Sequence, residues 1–184
     1  MLLVASLLFA QQNPTQATTA SVTAEASQPP GPGMKELIGA FLGTWSITET
    51  TVPRPGRSAG VTNSGTEKWR TATGGLTLIE ENQTKLQGGD AHDTAVIWWD
   101  RKAQRIRGIW CADINSEGCS DFTVTWEAGH VIMVGEWEDD GGRHAWKEDF
   151  AFGGPDSFTQ TLLVGPPGGD LQRVAVIRAR RAKP

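Results

Sequence analysis

Alternation with a period of two constrains this chain more than any other feature. From residue 44 to residue 180, apolar and polar side chains trade places along one segment after another, broken at short intervals by turn-forming residues. Ten such segments stand out: 44–52, 65–73, 76–84, 93–100, 104–112, 119–127, 130–139, 143–152, 157–164 and 171–180. Most links are short. The exceptions are "PRPGRSAGVTNSG" (53–65) and "KLQGGDAH" (85–92), so the expected topology is an antiparallel meander with two longer loops. "MKELIGAFLG" (34–43) is the helical candidate, one to three turns ended by Gly43.

The stretch "GEWEDDGGRHAWKEDF" (135–150) sets the phase. Asp140-Gly141 is a strong two-residue turn signal of type I′. With that turn at the apex, Trp137 faces His144, Gly135 faces Trp146 and Met133 faces Glu148. Glu138 and Arg143 then meet on the opposite, charged face. Centring the preceding turn on Ala128-Gly129 pairs Trp126 with Val131, Val124 with Met133 and Phe122 with Gly135, all on the apolar side. A turn that sets Cys111 opposite Cys119 keeps the same phase and puts Trp110 and Ile106 inside. Directly opposed residues lie near disulfide reach, so these two cysteines are expected to be bonded. Phe150, Phe152, Phe158, Gln160 and Leu162 continue the inner face.

One inward face sustained over consecutive hairpins must be covered, and no set of helices is present to do it. Closure into a barrel, or a sandwich of two sheets, is what remains.

The ends of the chain narrow the partners. "MLLVASLLFA" (1–10) is shaped like the apolar core of an export signal but lacks a basic start, and it is far shorter than the roughly 20 residues a bilayer span needs. Residues 11–33, rich in Thr, Ala and Pro, read as a disordered tether, leaving 34–182 as one domain. A secreted or periplasmic location follows, and it suits a disulfide. With 17 Lys and Arg against 21 Asp and Glu, the chain is mildly acidic, which argues against nucleic acid as a partner. The two cysteines have no histidines at zinc-ligand spacing, so no metal site is expected.

"FLGTWSI", "WWDRKAQRIRGIW", "GEWEDDGGRHAWKEDF" and "DSFTQTLLVG" together resemble the bacterial lipocalin-like family labelled domain of unknown function 1579, over roughly residues 36 to 180. The G-x-W phrase at Gly43-Thr44-Trp45 is similar to the opening signature of the wider calycin group. The resemblance implies an all-β fold: an antiparallel meander closed into a roughly ten-stranded lipocalin-like barrel with a short N-terminal helix. It also implies that Trp45 closes the barrel base against a basic residue of the last strand, Arg178 or Arg180. The family brings no catalytic residues and no cofactor.

The residues themselves offer little chemistry. No G-x-S-x-G elbow or phosphate loop is present. His144 and Glu148 share a face but lie about 13 Å apart along one strand, too far for a direct acid–base pair. The inward set Trp98, Trp110, Trp126, Trp137, His144, Trp146, Glu148 and Gln160 is therefore read as the wall of a cavity for a small, largely apolar molecule. Two alternatives stand beside that reading: a haem-binding or small calycin-type enzyme using His144, and a packed structural module.

Overall fold

The computed structural model describes residues 29–53, 60–113, 118–139 and 141–183. The chain runs α1 (Met34–Phe41), β1 (Gly43–Thr51), β2 (Thr62–Ala72), a 3-10 turn (Thr73–Gly75), β3 (Thr77–Leu86), β4 (Gly89–Asp100) and β5 (Arg105–Ala112). It continues with β6 (Cys119–Glu127), β7 (His130–Asp139), β8 (Gly142–Gly154), β9 (Ser157–Gly165) and β10 (Gln172–Arg181). Each strand pairs antiparallel with its sequence neighbours, and β1 also pairs with β10. The meander is a closed ten-stranded barrel, so no strand edge is left unpaired.

The hairpin registers match the period-two reading. Trp137 faces His144, Gly135 faces Trp146 and Met133 faces Glu148, with Glu138 opposite Arg143. Phe122, Val124 and Trp126 face Gly135, Met133 and Val131. Cys111 opposes Cys119, and the two are disulfide-bonded across a Cα–Cα distance of 4.2 Å. Around the waist, Ile97 faces Gly108, Gly108 faces Phe122, Phe122 faces Gly135 and Gly135 faces Trp146. Glycine beneath each large ring lets rings from neighbouring strands occupy the same layer.

The helix closes one end. Met34, Leu37 and Phe41 are fully buried, each contributing about 1.5–3 kcal/mol of apolar burial. Phe41 stacks on Trp69 at 4.4 Å and meets Phe150 and Phe152 edge-on at 5.1 and 5.2 Å. The Trp45 indole donates to the Phe41 carbonyl at 2.7 Å, tying the helix C-terminus to β1. Gly33 lies beside Ile106 and Trp126, so the entry to the helix also rests on the barrel rim. The opposite end, where β5 ends and β6 begins at the disulfide, is the mouth.

Four local expectations are corrected. The basic partner of Trp45 is Arg181, its guanidinium carbon 4.2 Å from the ring centroid, while Arg178 and Arg180 are exposed. Trp45 opposes Arg181 in the ladder, so the inward residues of β10 are the odd-numbered ones. Residues 85–92 are not a long loop: Leu86 pairs with Gly89, and Gln83 and Asn82 donate to Asp90 and Asp93 at 2.8 and 2.9 Å. The 53–65 loop loses its last residues to β2, which already pairs with β1 at Thr62.

The turn after β7 is not type I′ either, because Gly142 rather than Gly141 takes the positive φ, 105°. Asp139 Oδ1 accepts the Gly141 N–H there at 2.8 Å. Ala128-Gly129 instead has both residues at positive φ, 51° and 86°, as type I′ requires.

A methyl group at residue 135 would stand 2.7 Å from the Trp146 ring and 2.8 Å from the Asp121 carbonyl oxygen. The carbonyl belongs to a paired strand and cannot retreat cheaply. Gly135→Ala is expected to lower the unfolding free energy by about 1–3 kcal/mol in urea titrations followed by tryptophan emission.

Candidate functional site

Closure divides the interior into two zones. The helix end is filled by Phe41, Trp45, Trp69, Phe150 and Phe158, all buried and in mutual ring contact. Toward the mouth the inward residues become polar. Glu67 on β2, Glu80 on β3, Asp93 on β4 and Glu148 on β8 all occupy inward ladder positions, joined by Asn82, Ser120 and Gln160.

Most of these groups have partners from the barrel itself. Trp69 Nε1 donates to Glu67 at 3.1 Å, and Trp110 Nε1 and Asn82 Nδ2 donate to Asp93 at 3.1 and 2.9 Å. Gln160 lies near enough to Glu148 to favour its ionised form against burial. Glu80 has no hydrogen-bond donor among the described residues.

Burial dominates the acid–base behaviour of all four carboxyls. It pushes Glu148 up to about 8, aided by the charges of Asp93 and Glu67. It pushes Glu67 up to about 7 against the opposing Trp69 hydrogen bond. Glu80 is held well above the usual carboxylate range by burial and then by Asp93, Glu67 and Glu148, and Asp93 is raised by burial despite its two donors. Three carboxylates on the β2–β4 wall therefore interact with one on β8, which places them round a common lumen. Glu80, Asp93, Glu148 and Gln160 nevertheless retain partial accessibility, so side chains do not fill the space beside them.

The expected wall residues fall into three groups. Trp110, Trp146, Glu148 and Gln160 are inward, with Trp146 only 6% exposed and its Nε1 without a partner among the described residues. Trp137 and His144 sit together at the mouth, their rings stacked at 5.1 Å. His144 Nε2 is 3.0 Å from Asp139 Oδ1, so the imidazole is engaged at the rim and not directed alone into the lumen.

Trp126 and Trp98 do not belong to the wall. Trp126 is inward in phase, but it lies at the helix-capped rim beside Gly33 and is 40% exposed. Trp98 faces outward, opposite Thr77 and Arg107, because the inward residues of β4 are Ala95, Ile97 and Trp99. Only one member of the Trp98-Trp99 tandem can point into the barrel.

Sequence reasoning missed Glu67, Glu80 and Asp93. The usable signal was Leu78: residues 80, 82 and 84 share its face, and registering β2 and β4 against β3 would have brought in Glu67 and Asp93. Among the described residues, no three His, Cys, Asp or Glu side chains are grouped as a metal ion would need. No described helix is long and apolar enough to cross a membrane.

Carboxyls whose folded values are raised keep their protons in the native state at pH values where the unfolded chain has released them. Stability therefore falls as pH rises from about 4.5 toward the Glu148 value of about 8, and the loss is complete above it. Thermal unfolding of the unliganded protein is expected to show a falling Tm across that window. Glu148→Gln should flatten the fall by on the order of 2 kcal/mol, a figure reduced for partial hydration of the lumen.

The family model described as "Protein of unknown function (DUF1579)" matches residues 32–181, taking in α1 and all ten strands. No curated protein matches the sequence. Among solved structures, Rv2717c from M. tuberculosis is similar with 13% identity and a TM-score of 0.59, over 84% of this chain and 100% of that one. The S-type phycobiliprotein lyase CPES from Guillardia theta is similar with 11% identity and a TM-score of 0.52, over 82% of this chain and 93% of that one. At such identities the likeness concerns the fold alone. Carried by the family match over its helix and whole barrel, the chain belongs to the DUF1579 family.

Proposed function

We propose that this barrel is a binding protein for a small amphiphilic molecule, held in the lumen and admitted at the disulfide-bearing mouth. The observation that carries the reading is the partly accessible lumen beside Glu80, Glu148 and Gln160, next to an aromatic zone that is fully packed. A barrel serving only as a scaffold would gain by filling that space with apolar side chains, since desolvated carboxyls oppose folding at neutral pH. An apolar ligand body would lie against Trp110, Trp146, Leu162 and Val164, which are inward and near the mouth. Its polar end would meet Glu148 and Gln160.

The reading is one of binding, with no catalytic group assigned. Export to a secreted or periplasmic location is part of the same proposal, supported by the apolar start of the chain and by the disulfide.

Inward indoles make the test direct. Titration with short-chain amphiphiles and hydrophobic dyes is expected to quench tryptophan emission and raise Tm. Leu162→Trp, which fills the lumen opposite Glu148, is expected to weaken quenching by at least about tenfold. A panel that neither quenches nor shifts Tm would overturn the proposal.

A further inference from the structure

Resting on the lumen as the binding site, we propose that its ligand, an uncharged amphiphile, enters and leaves sideways through a cleft in the barrel wall between β6 and β7. The ladder joining those strands ends at Phe122 and Gly135. Both strands nevertheless continue toward the mouth, β6 back to Cys119 and β7 on to Asp139. Residues 119–121 and 136–139 are thus extended with no ladder partner across the gap. Among the described residues, no other seam has both strands running three or more residues past their last pair.

A cavity of about 760 Å³ occupies this gap. Its lining includes inward Ser120, Trp137 and Trp146 together with outward Asp121, Glu136 and Arg143. Successive residues of a strand point to opposite faces, so a cavity touching both sets lies in the plane of the sheet and interrupts the wall. Its volume is in the range of small-molecule sites. Arg105, Arg107 and Arg143 line it against Asp121, Glu136 and Glu138, three charges of each sign, so the passage favours neither cations nor anions.

The edges of the cleft are fixed, which separates it from a frayed end. On one side the Cys111–Cys119 disulfide binds the start of β6 to β5. On the other, Arg143 pairs with Glu136 at 2.5 Å, His144 lies 3.0 Å from Asp139, and Trp137 stacks on the same imidazole. Trp146 stands at the inner end. Its Cε2, bonded to Nε1, would lie 2.7 Å from a Cβ at Gly135, the residue at which the ladder opens. The Nε1–H is buried with no partner among the described residues. An unpaired buried donor is costly, and an acceptor on a ligand arriving through the cleft would satisfy it.

The uncharged ketone dye Prodan reports entry by stopped-flow fluorescence. In Asp121→Cys/Glu138→Cys a short bismaleimide closes the outer side of the cleft, with the native disulfide intact and each sample compared before and after bridging. Bridging is expected to lower the association and dissociation rates together by at least about tenfold, with Kd held within about twofold. Thr48→Cys/Arg178→Cys, bridged across a ladder pair of the β1–β10 seam, should leave both rates unchanged. A Tm no lower than before bridging verifies the fold of each. Unchanged rates after bridging the cleft, weakened affinity without slowed exchange, or equal slowing in the seam control overturns the side passage and leaves the lumen as a binding site. Absence of binding by Prodan and by the whole panel of dyes and short-chain amphiphiles overturns both.

Discussion

The seam between β1 and β10 is the constraint on which the rest of the structure depends. Without it the meander is a curled open sheet with two free edges and an apolar face that nothing covers. With it, every inward residue is enclosed at once. The seam is reinforced at one point: Trp45 opposes Arg181 in the ladder, lies under its guanidinium and donates to the carbonyl that ends α1. Arg181 in turn donates to the Leu42 carbonyl and to Pro155 in the turn before β9. First strand, last strand, helix and one hairpin therefore meet around a single indole, and the barrel closes where β1 meets β10.

That arrangement places order at one end and leaves chemistry to the other. The helix end is dense with rings and gives up little space. Toward the mouth the strands carry acids where a stability-driven core would carry aliphatic residues. The disulfide sits on this less packed side, joining β5 to β6 beside inward Trp110 and Ser120. A covalent tie is useful there because the mouth lacks the apolar burial that holds the base together.

How far the fold was legible depended on whether a turn fixed the phase. From Phe122 to Phe152 two tight turns determine register, and each residue placed inward by those turns occupies an inward ladder position. Even there, the register survived a mistaken turn type, because hydrophobic pairing across β7 and β8 outweighs the local conformation of Gly141 and Gly142. Arg181 escaped because β10 carries an irregularity at Arg173 and Ala175 and its phase cannot be carried in from β9 by counting. Trp98 escaped because a tandem of tryptophans satisfies either phase. Glu67, Glu80 and Asp93 escaped for a different reason. On most of β2, in β3 after Ile79 and in β4 before Ala95, most side chains on both faces are polar, so alternation of hydrophobicity has little contrast to detect.

That loss of contrast is itself informative. Sequences erase the inside–outside difference only where the inside is required to be polar, and a barrel interior has no solvent of its own to demand it. Were the acids merely tolerated, each would be expected to carry a full set of internal donors, as Asp93 does with Trp110 and Asn82. Glu80 breaks that pattern, opposite Trp69 on one side and Ala95 on the other, with no side-chain donor among the described residues. A donor-free acid in a lumen that side chains leave partly open supports the proposal that its partner comes from outside the chain.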